Sequence, residues 1–188
     1  GDLANAIHPK VNKGADMLTA MKERSLRFRP LLLPQEENLY LAARQDGWMA
    51  SHGTMDHFDG QAFLEVARRN SQYAPESVLV ALVGDQPVGM LQMDWQHQAD
   101  QKVGRVPFFY MSPEYRSQGL GVQLLGQAVS AYRKLGRDKL RLRCAPENQR
   151  AKNFYLHHGF EKVGEEPGGI GHLDTMEKVI SRPCPALV

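Results

Sequence analysis

Arg116-Ser117-Gln118-Gly119-Leu120-Gly121 joins an apolar run, Val106 to Met111, to a segment of helical periodicity, Val122 to Leu135. A strand, a glycine-rich turn and a helix in that order can bind an anion. The first N–H groups of a helix have no intrahelical acceptor, and the helix dipole adds partial positive charge at the same end. Gly119 and Gly121 lack a Cβ, so a phosphate can approach the backbone, and both tolerate positive φ. Arg116 offers a charge-assisted contact to the same anion. Taken alone, the hexapeptide reads equally as an ordinary strand-to-helix turn with a solvated arginine. Two known phosphate motifs fit poorly. A P-loop needs Gly-Lys-Ser/Thr, and here Val122 and Gln123 follow Gly121; the dinucleotide fingerprint needs a small residue where Leu124 stands.

The elements that must position this turn follow from pattern. The chain has 188 residues, 42% hydrophobic and 23% charged, which suits one globular domain with a real core. A net charge of +2 argues neither for nucleic acid nor for an acidic membrane surface. Cys144 and Cys184 form no Cys-x-x-Cys pair, so no disulfide framework is expected and a reducing, cytoplasmic setting fits. No apolar run approaches a membrane span, and no signal-peptide core opens the chain. Residues 1–25 are polar and mixed, and residue 1 is Gly, not Met. This segment is expected to be an extension or an interdomain linker following another domain, with the main globular domain over 26–182 and a tail over 183–188.

Leu26 to Leu33 reads as a strand. Pro34 opens a helix with Glu36 and Glu37 at its N-terminal dipole, and Ser51-His52-Gly53 breaks it. A second helix starts at Asp59, whose carboxylate can cap it, with Phe63, Val66 and Ala67 turned inward. Val78 to Val83 and Val88 to Trp95 are strands around a Gly84-Asp85-Gln86-Pro87 turn, and Val103 to Met111 is the third of an antiparallel run. A helix from Val122, a strand at Leu140 to Cys144, a helix over Asn148 to His158 and strands at Glu161 to Glu165 and Leu173 to Ile180 complete the order. This predicts an α/β layered fold around a mixed, mostly antiparallel sheet of six to seven strands with helices on both faces, Val106 to Cys144 forming a parallel strand–helix–strand unit.

The sequence resembles the GNAT superfamily of acyl-CoA-dependent N-acyltransferases. Arg116 to Gly121 matches its Arg/Gln-x-x-Gly-x-Gly/Ala signature. Asn148, Ala151 and Phe154-Tyr155-Leu156-His157-His158-Gly159-Phe160 match a second signature at the family's spacing. The resemblance implies acetyl-CoA as co-substrate, an amine acceptor and no metal. Arg116, Ser117, Gln118, Gly119, Leu120 and Gly121 would hold its pyrophosphate. Phe109, Tyr110 and Met111 would offer backbone groups to the pantetheine, Asn148 would hydrogen-bond it, and Tyr155 would protonate the leaving thiolate. A tyrosine hydroxyl, with an unperturbed pKa near 10, is protonated at neutral pH and suits that role.

For the base that deprotonates the acceptor ammonium, Asp94 is the candidate, with Glu76 and Glu114 behind it and a water chain as the alternative. His157 and His158 read as helix-terminal cations rather than ligands, His52 and His57 as loop residues on the acceptor side, and Cys144 as a buried strand residue. The basic stretch Arg133 to Lys152 reads as a solvated surface that partly meets the 3′-phosphate of CoA, not as a nucleic-acid site. The expected activity is acetyl transfer to a primary amine. The rival reading is a non-catalytic acyl-CoA-binding module that regulates an attached domain. A homodimer is compatible with either.

Overall fold

The computed structural model describes residues 25–182, so the expected N-terminal extension, the tail and Cys184 lie almost wholly outside the described residues. In chain order the elements are β1 (Arg27–Pro30), α1 (Glu37–His52), α2 (Gly60–Tyr73), β2 (Val78–Val83), β3 (Gln86–Asp94), β4 (Val103–Met111), α3 (Gly121–Lys134), β5 (Lys139–Cys144), α4 (Gln149–His157), β6 (Glu161–Gly168) and β7 (Gly171–Val179). The strands form one seven-stranded sheet in the order β1-β2-β3-β4-β5-β7-β6. β4 and β5 pair in parallel and the other neighbours pair antiparallel. This is the mixed α/β layered fold that the element order implies.

The alternation of side chains along β2 explains why both faces are covered. Val78, Val80 and Leu82 join Tyr40 and Ala43 of α1 and Leu64 and Ala67 of α2 in one core. Leu79 and Ala81 face the other way, into a core with Leu124, Leu125 and Ala128 of α3, Leu140 and Leu142 of β5, and Tyr155 of α4. Asp59 caps α2 by accepting from the Ala62 N–H at 3.1 Å, as its position suggests.

Local details depart from the sequence reading. α1 begins at Glu37 and not at Pro34. Glu36 is held by both guanidinium nitrogens of Arg29 (2.7 and 2.9 Å) and by the Leu32 N–H (2.9 Å), so its carboxylate pins the turn to β1 instead of facing a helix dipole. On α2 the buried residues are Leu64, Ala67 and Asn70, while Phe63 and Val66 are half-buried. Asn70 is drawn inward because its side-chain oxygen accepts from Gln92 Nε2 at 2.8 Å.

One feature of the sheet matters most for the site. The register between β4 and β5 covers only Val103↔Lys139, Gly104↔Leu140 and Arg105↔Arg141. Beyond Arg105, β4 runs on from Val106 to Met111 without β5 as a neighbour, although it stays paired with β3 through Met111. A register shift opposite Gln92 and Asp94 gives β4 one extra residue there, and Pro107, which has no N–H, lies within it. The two halves of the sheet are therefore clamped at one end and open as a wedge at the other.

Candidate active site

The wedge opens into a cleft of about 1030 Å³. Its sides are the free edge of β4, the end of β5, α1, the glycine turn and the start of α4. Phe109, Tyr110, Met111, Arg116, Ser117, Gly119, Gly121, Asn148 and Tyr155 all line it, so residues far apart in sequence meet at one place.

The turn that precedes α3 has left-handed backbone at Ser117 (φ 61°) and Gly119 (φ 76°). Leu120 follows with ordinary right-handed angles, φ −81° and ψ −26°. A left-handed residue next to a right-handed one makes a concave nest of N–H groups, here at the positive end of α3. A Cβ on Gly119 would meet nothing within 4 Å, so this glycine is required by its φ and its face is open. Gly121 has a different reason. A Cβ there would lie 2.9 Å from Phe154 Cε2, so its missing side chain is filled by a ring of α4 and not left for a phosphate. Leu120 is 1% exposed and anchors the turn in the core, and Gln118 folds back to the Glu114 carbonyl at 2.6 Å; neither side chain lines the cleft.

Arg116 braces the site. Its Nε donates to the Met111 carbonyl (2.8 Å) and its Nη2 to Asp46 (3.0 Å), whose same oxygen accepts from the Tyr110 hydroxyl at 2.7 Å. A second cation at the turn is Arg150, which reaches Ser117 Oγ at 3.1 Å from α4 and makes no ion pair among the described residues.

Tyr155 is 7% exposed and rings with Phe109, Phe154 and Phe160 at 5.3–5.9 Å. Burial, and secondarily Cys144, push its hydroxyl above the usual tyrosine range, so it is held protonated. Among the described residues that hydroxyl has no hydrogen-bond partner, and its ring lines the cleft. Cys144 is buried, and burial raises its thiol to about 11, so it is a poor nucleophile. Asn148 serves twice. Its oxygen caps α4 by accepting from the Ala151 N–H (3.2 Å), and its amide donates to Ser51 Oγ on α1 (3.3 Å).

The three carboxylates singled out as bases lie elsewhere. Asp94 pairs in register with Arg105, at the clamped end of the wedge, and accepts from the Gln96 and His97 N–H groups at 3.1 Å each. Neither Asp94, Glu76 nor Glu114 lines the cleft. His52 does. It closes α1 as its last residue and is not a loop residue; its side chain is 4% exposed. His52 Nδ1 lies 2.8 Å from Glu147 Oε1, just before the Asn148 cap, and this contact holds the Glu147 carboxyl below its usual range. His158 also differs from the helix-end cation expected of it. Burial first, then His157 and Lys178, disfavour its charged form.

Outside the cleft, the β6–β7 register brings Glu165, His172 and Asp174 within 4.8 Å of one another, a grouping that sequence spacing does not show. Lysine ammonium groups already occupy it: Lys152 is 2.9 Å and Lys162 3.2 Å from Asp174, and Lys162 is 2.9 Å from Glu165. Among the described residues no helix is long and apolar enough to cross a membrane.

The Acetyltransferase (GNAT) family profile matches residues 27–160, well over half of the chain. The chain belongs to the GNAT family. An uncharacterised N-acetyltransferase of Methanocaldococcus jannaschii is 29% identical over 90 residues, which are 46% of this GNAT chain and 40% of that relative. The match thus spans well under half of the relative's length. Ard1 from Thermoplasma volcanium superposes with a TM-score of 0.65 at 19% identity, over 84% of this chain and 99% of that one. The PaiA N-acetyltransferase from Thermoplasma acidophilum, solved in complex with coenzyme A, gives 0.59 at 19% identity, over 82% and 99%. At such identities the likeness is one of fold.

Proposed function

We propose that the protein is an acetyl-CoA-dependent N-acetyltransferase that passes the acetyl group directly from the thioester to a primary amine. The observation that carries this reading is the free edge of β4, which leads from the acceptor wall of the cleft to the nest of N–H groups at the start of α3. A chain of amides such as pantetheine can pair with that edge as a strand would, and a pyrophosphate suits the nest. The cited relative solved with coenzyme A supports the choice of cofactor.

The residues present fit the parts of such a substrate. Gly119 leaves open space in front of the nest, and Arg150 adds a cation beside it. Asn148 reaches the cleft from the α4 cap. His52, steadied by Glu147, takes a proton from the incoming ammonium. The amine nitrogen then bonds to the acyl carbon as the carbon–sulfur bond breaks, Tyr155 gives its hydroxyl proton to the departing sulfur, and the second proton shed by the acylated nitrogen restores the Tyr155 hydroxyl. No nucleophilic residue is needed, because a neutral amine already is one.

The test is release of free thiol from acetyl-CoA, followed with a thiol reagent across a panel of amines. Tyr155→Phe lowers kcat by about 10²-fold or more, while calorimetry gives an unchanged affinity for acetyl-CoA. Failure of the folded wild-type protein to bind either CoA or acetyl-CoA would refute the reading. Binding without acceptor-dependent thiol release would instead favour a non-catalytic acyl-CoA-binding module.

A further inference from the structure

The ionisable groups around the cleft are unbalanced. Its lining arginines and carboxylates are four against one: Arg44, Arg116, Arg143 and Arg150 against Asp59, which is committed to capping α2. Arg116 is matched by Asp46, and Arg150 sits at the glycine turn. Arg44 projects from α1 and Arg143 from β5 beside the β6–β7 hairpin, and among the described residues neither has a carboxylate partner.

The Arg44 guanidinium is packed against the rings of Phe63 (4.1 Å) and Phe108 (4.0 Å). Its hydrogen bonds run to the Tyr40 hydroxyl (2.9 Å), Gln92 Oε1 (3.3 Å) and the Pro107 carbonyl (3.4 Å). All are neutral acceptors. Arg143 stands on β5 beyond the last residue paired with β4, on the strand face opposite Leu142 and Cys144. Among the described residues it makes no hydrogen bond and no ion pair. The carboxylate that acts on it, Glu166, is taken by Arg105 (2.9 and 3.2 Å) and by Thr175 Oγ1 (2.6 Å). Burial disfavours the charged form of Arg44; at Arg143, which is exposed to solvent, partial burial and then the Arg105 and Arg44 cations act in the same direction. An anion bound beside Arg143 offsets that like-charge repulsion.

We propose that Arg44 and Arg143 bind an acidic group of the acceptor, and that the acceptor is an amino-acid-type molecule: a primary amine with a carboxylate close by and an apolar body. A guanidinium fork matches a planar carboxylate. The apolar body suits the wall formed by Trp48, Phe63 and Phe108. A polyamine acceptor, in contrast, would meet two unpaired cations. This inference rests on the acetyltransferase reading for its chemistry, but not for its binding site.

The experiment measures kcat/KM by thiol release for phenylalanine, leucine and methionine, each beside its amide and its decarboxylated amine, with spermidine and the phosphonate analogue of phenylalanine as further arms. The free carboxylates are expected to exceed the amides and decarboxylated amines by about tenfold to a hundredfold. Arg143→Gln, which removes no hydrogen bond or ion pair among the described residues, collapses that ratio toward one. Equal or better use of the decarboxylated amines or of spermidine overturns the proposal, as does a preference that survives in Arg143→Gln. Preference for the phosphonate overturns the assignment of a carboxylate. Saturation-transfer NMR with the same compounds keeps the two readings apart. If no amine turns over, binding of phenylalanine but not phenethylamine, lost in Arg143→Gln, still supports the site; binding of neither removes it.

Discussion

The clamp between the sheet halves can be tested at Gly104. A Cβ built there lies 2.5–2.7 Å from three ring atoms of Tyr132. Ordinary carbon contacts begin near 3.5 Å, so the shortfall is roughly 0.9 Å. The ring cannot step aside cheaply. Tyr132 is 0% exposed, and its hydroxyl donates to the Arg105 carbonyl and sits 3.2 Å from the Asp94 carbonyl. Overpacking of this kind costs about 1–3 kcal/mol, and loss of the buried hydrogen bond adds about 1 kcal/mol. Restricting the unfolded chain by replacing glycine returns about 0.5–1 kcal/mol. Gly104→Ala should therefore destabilise by about 1–3.5 kcal/mol, which for a chain of this size is a fall in Tm of roughly 2–14 °C. Thermal melts followed by circular dichroism measure it, and Tyr132→Leu in the same chain should recover part of the loss. A Gly104→Ala protein that melts within about 1 °C of wild type would refute the claim that ring and backbone are in contact at the clamp.

Other outcomes follow from single contacts. His52→Gln should slow turnover most near neutral pH, and the deficit should narrow by about pH 10, where an acceptor amine sheds its proton unaided; a pH–rate profile parallel to wild type would rule His52 out as proton acceptor. Asp174, with a side chain 1% exposed, has its pKa lowered chiefly by Lys152, with Lys162 assisting. A depressed carboxylate contributes stability that is present above its unfolded pKa, about 3.9, and is lost as pH falls through the folded value. Urea unfolding should thus show Asp174→Asn losing less stability than wild type between about pH 6 and pH 3. An equal or steeper loss in the variant would contradict the assignment.

What the sequence revealed, it revealed through local pattern. Continuous apolar runs bounded by Gly84 and Asp85 define a hairpin wherever it sits, and helical spacing at Leu125, Ala128 and Tyr132 survives any packing. Asp59 and Asn148 act as caps because a cap is decided within three residues. Contacts across the fold were hidden. Residues 95 apart form the His52–Glu147 pair, and nothing near either one announces the other. Asp94 was attractive by its place in the third strand, but the wedge opens at the opposite end of that pairing. Gly121 fits the anion motif by spacing, yet its lack of a side chain is explained by Phe154, which packs on it in space but lies far from it in sequence. One signal was available and unread: Pro107, in the middle of an otherwise regular strand, marks where pairing must fail.

The interrupted pairing of β4 also bears on solubility. A row of unpaired N–H and C=O groups is a template for a foreign strand, and proteins normally keep such rows at the rim of a sheet, guarded by charge or by short length. Here the row belongs to the middle strand of seven. Helical layers cover both faces beside it, and Pro107 removes a donor at its base. A second copy of the chain cannot bring a whole sheet edge into that recess, whereas a single slender chain can enter it. The geometry that leaves this backbone open to a ligand is also what keeps it from seeding sheet-to-sheet aggregation.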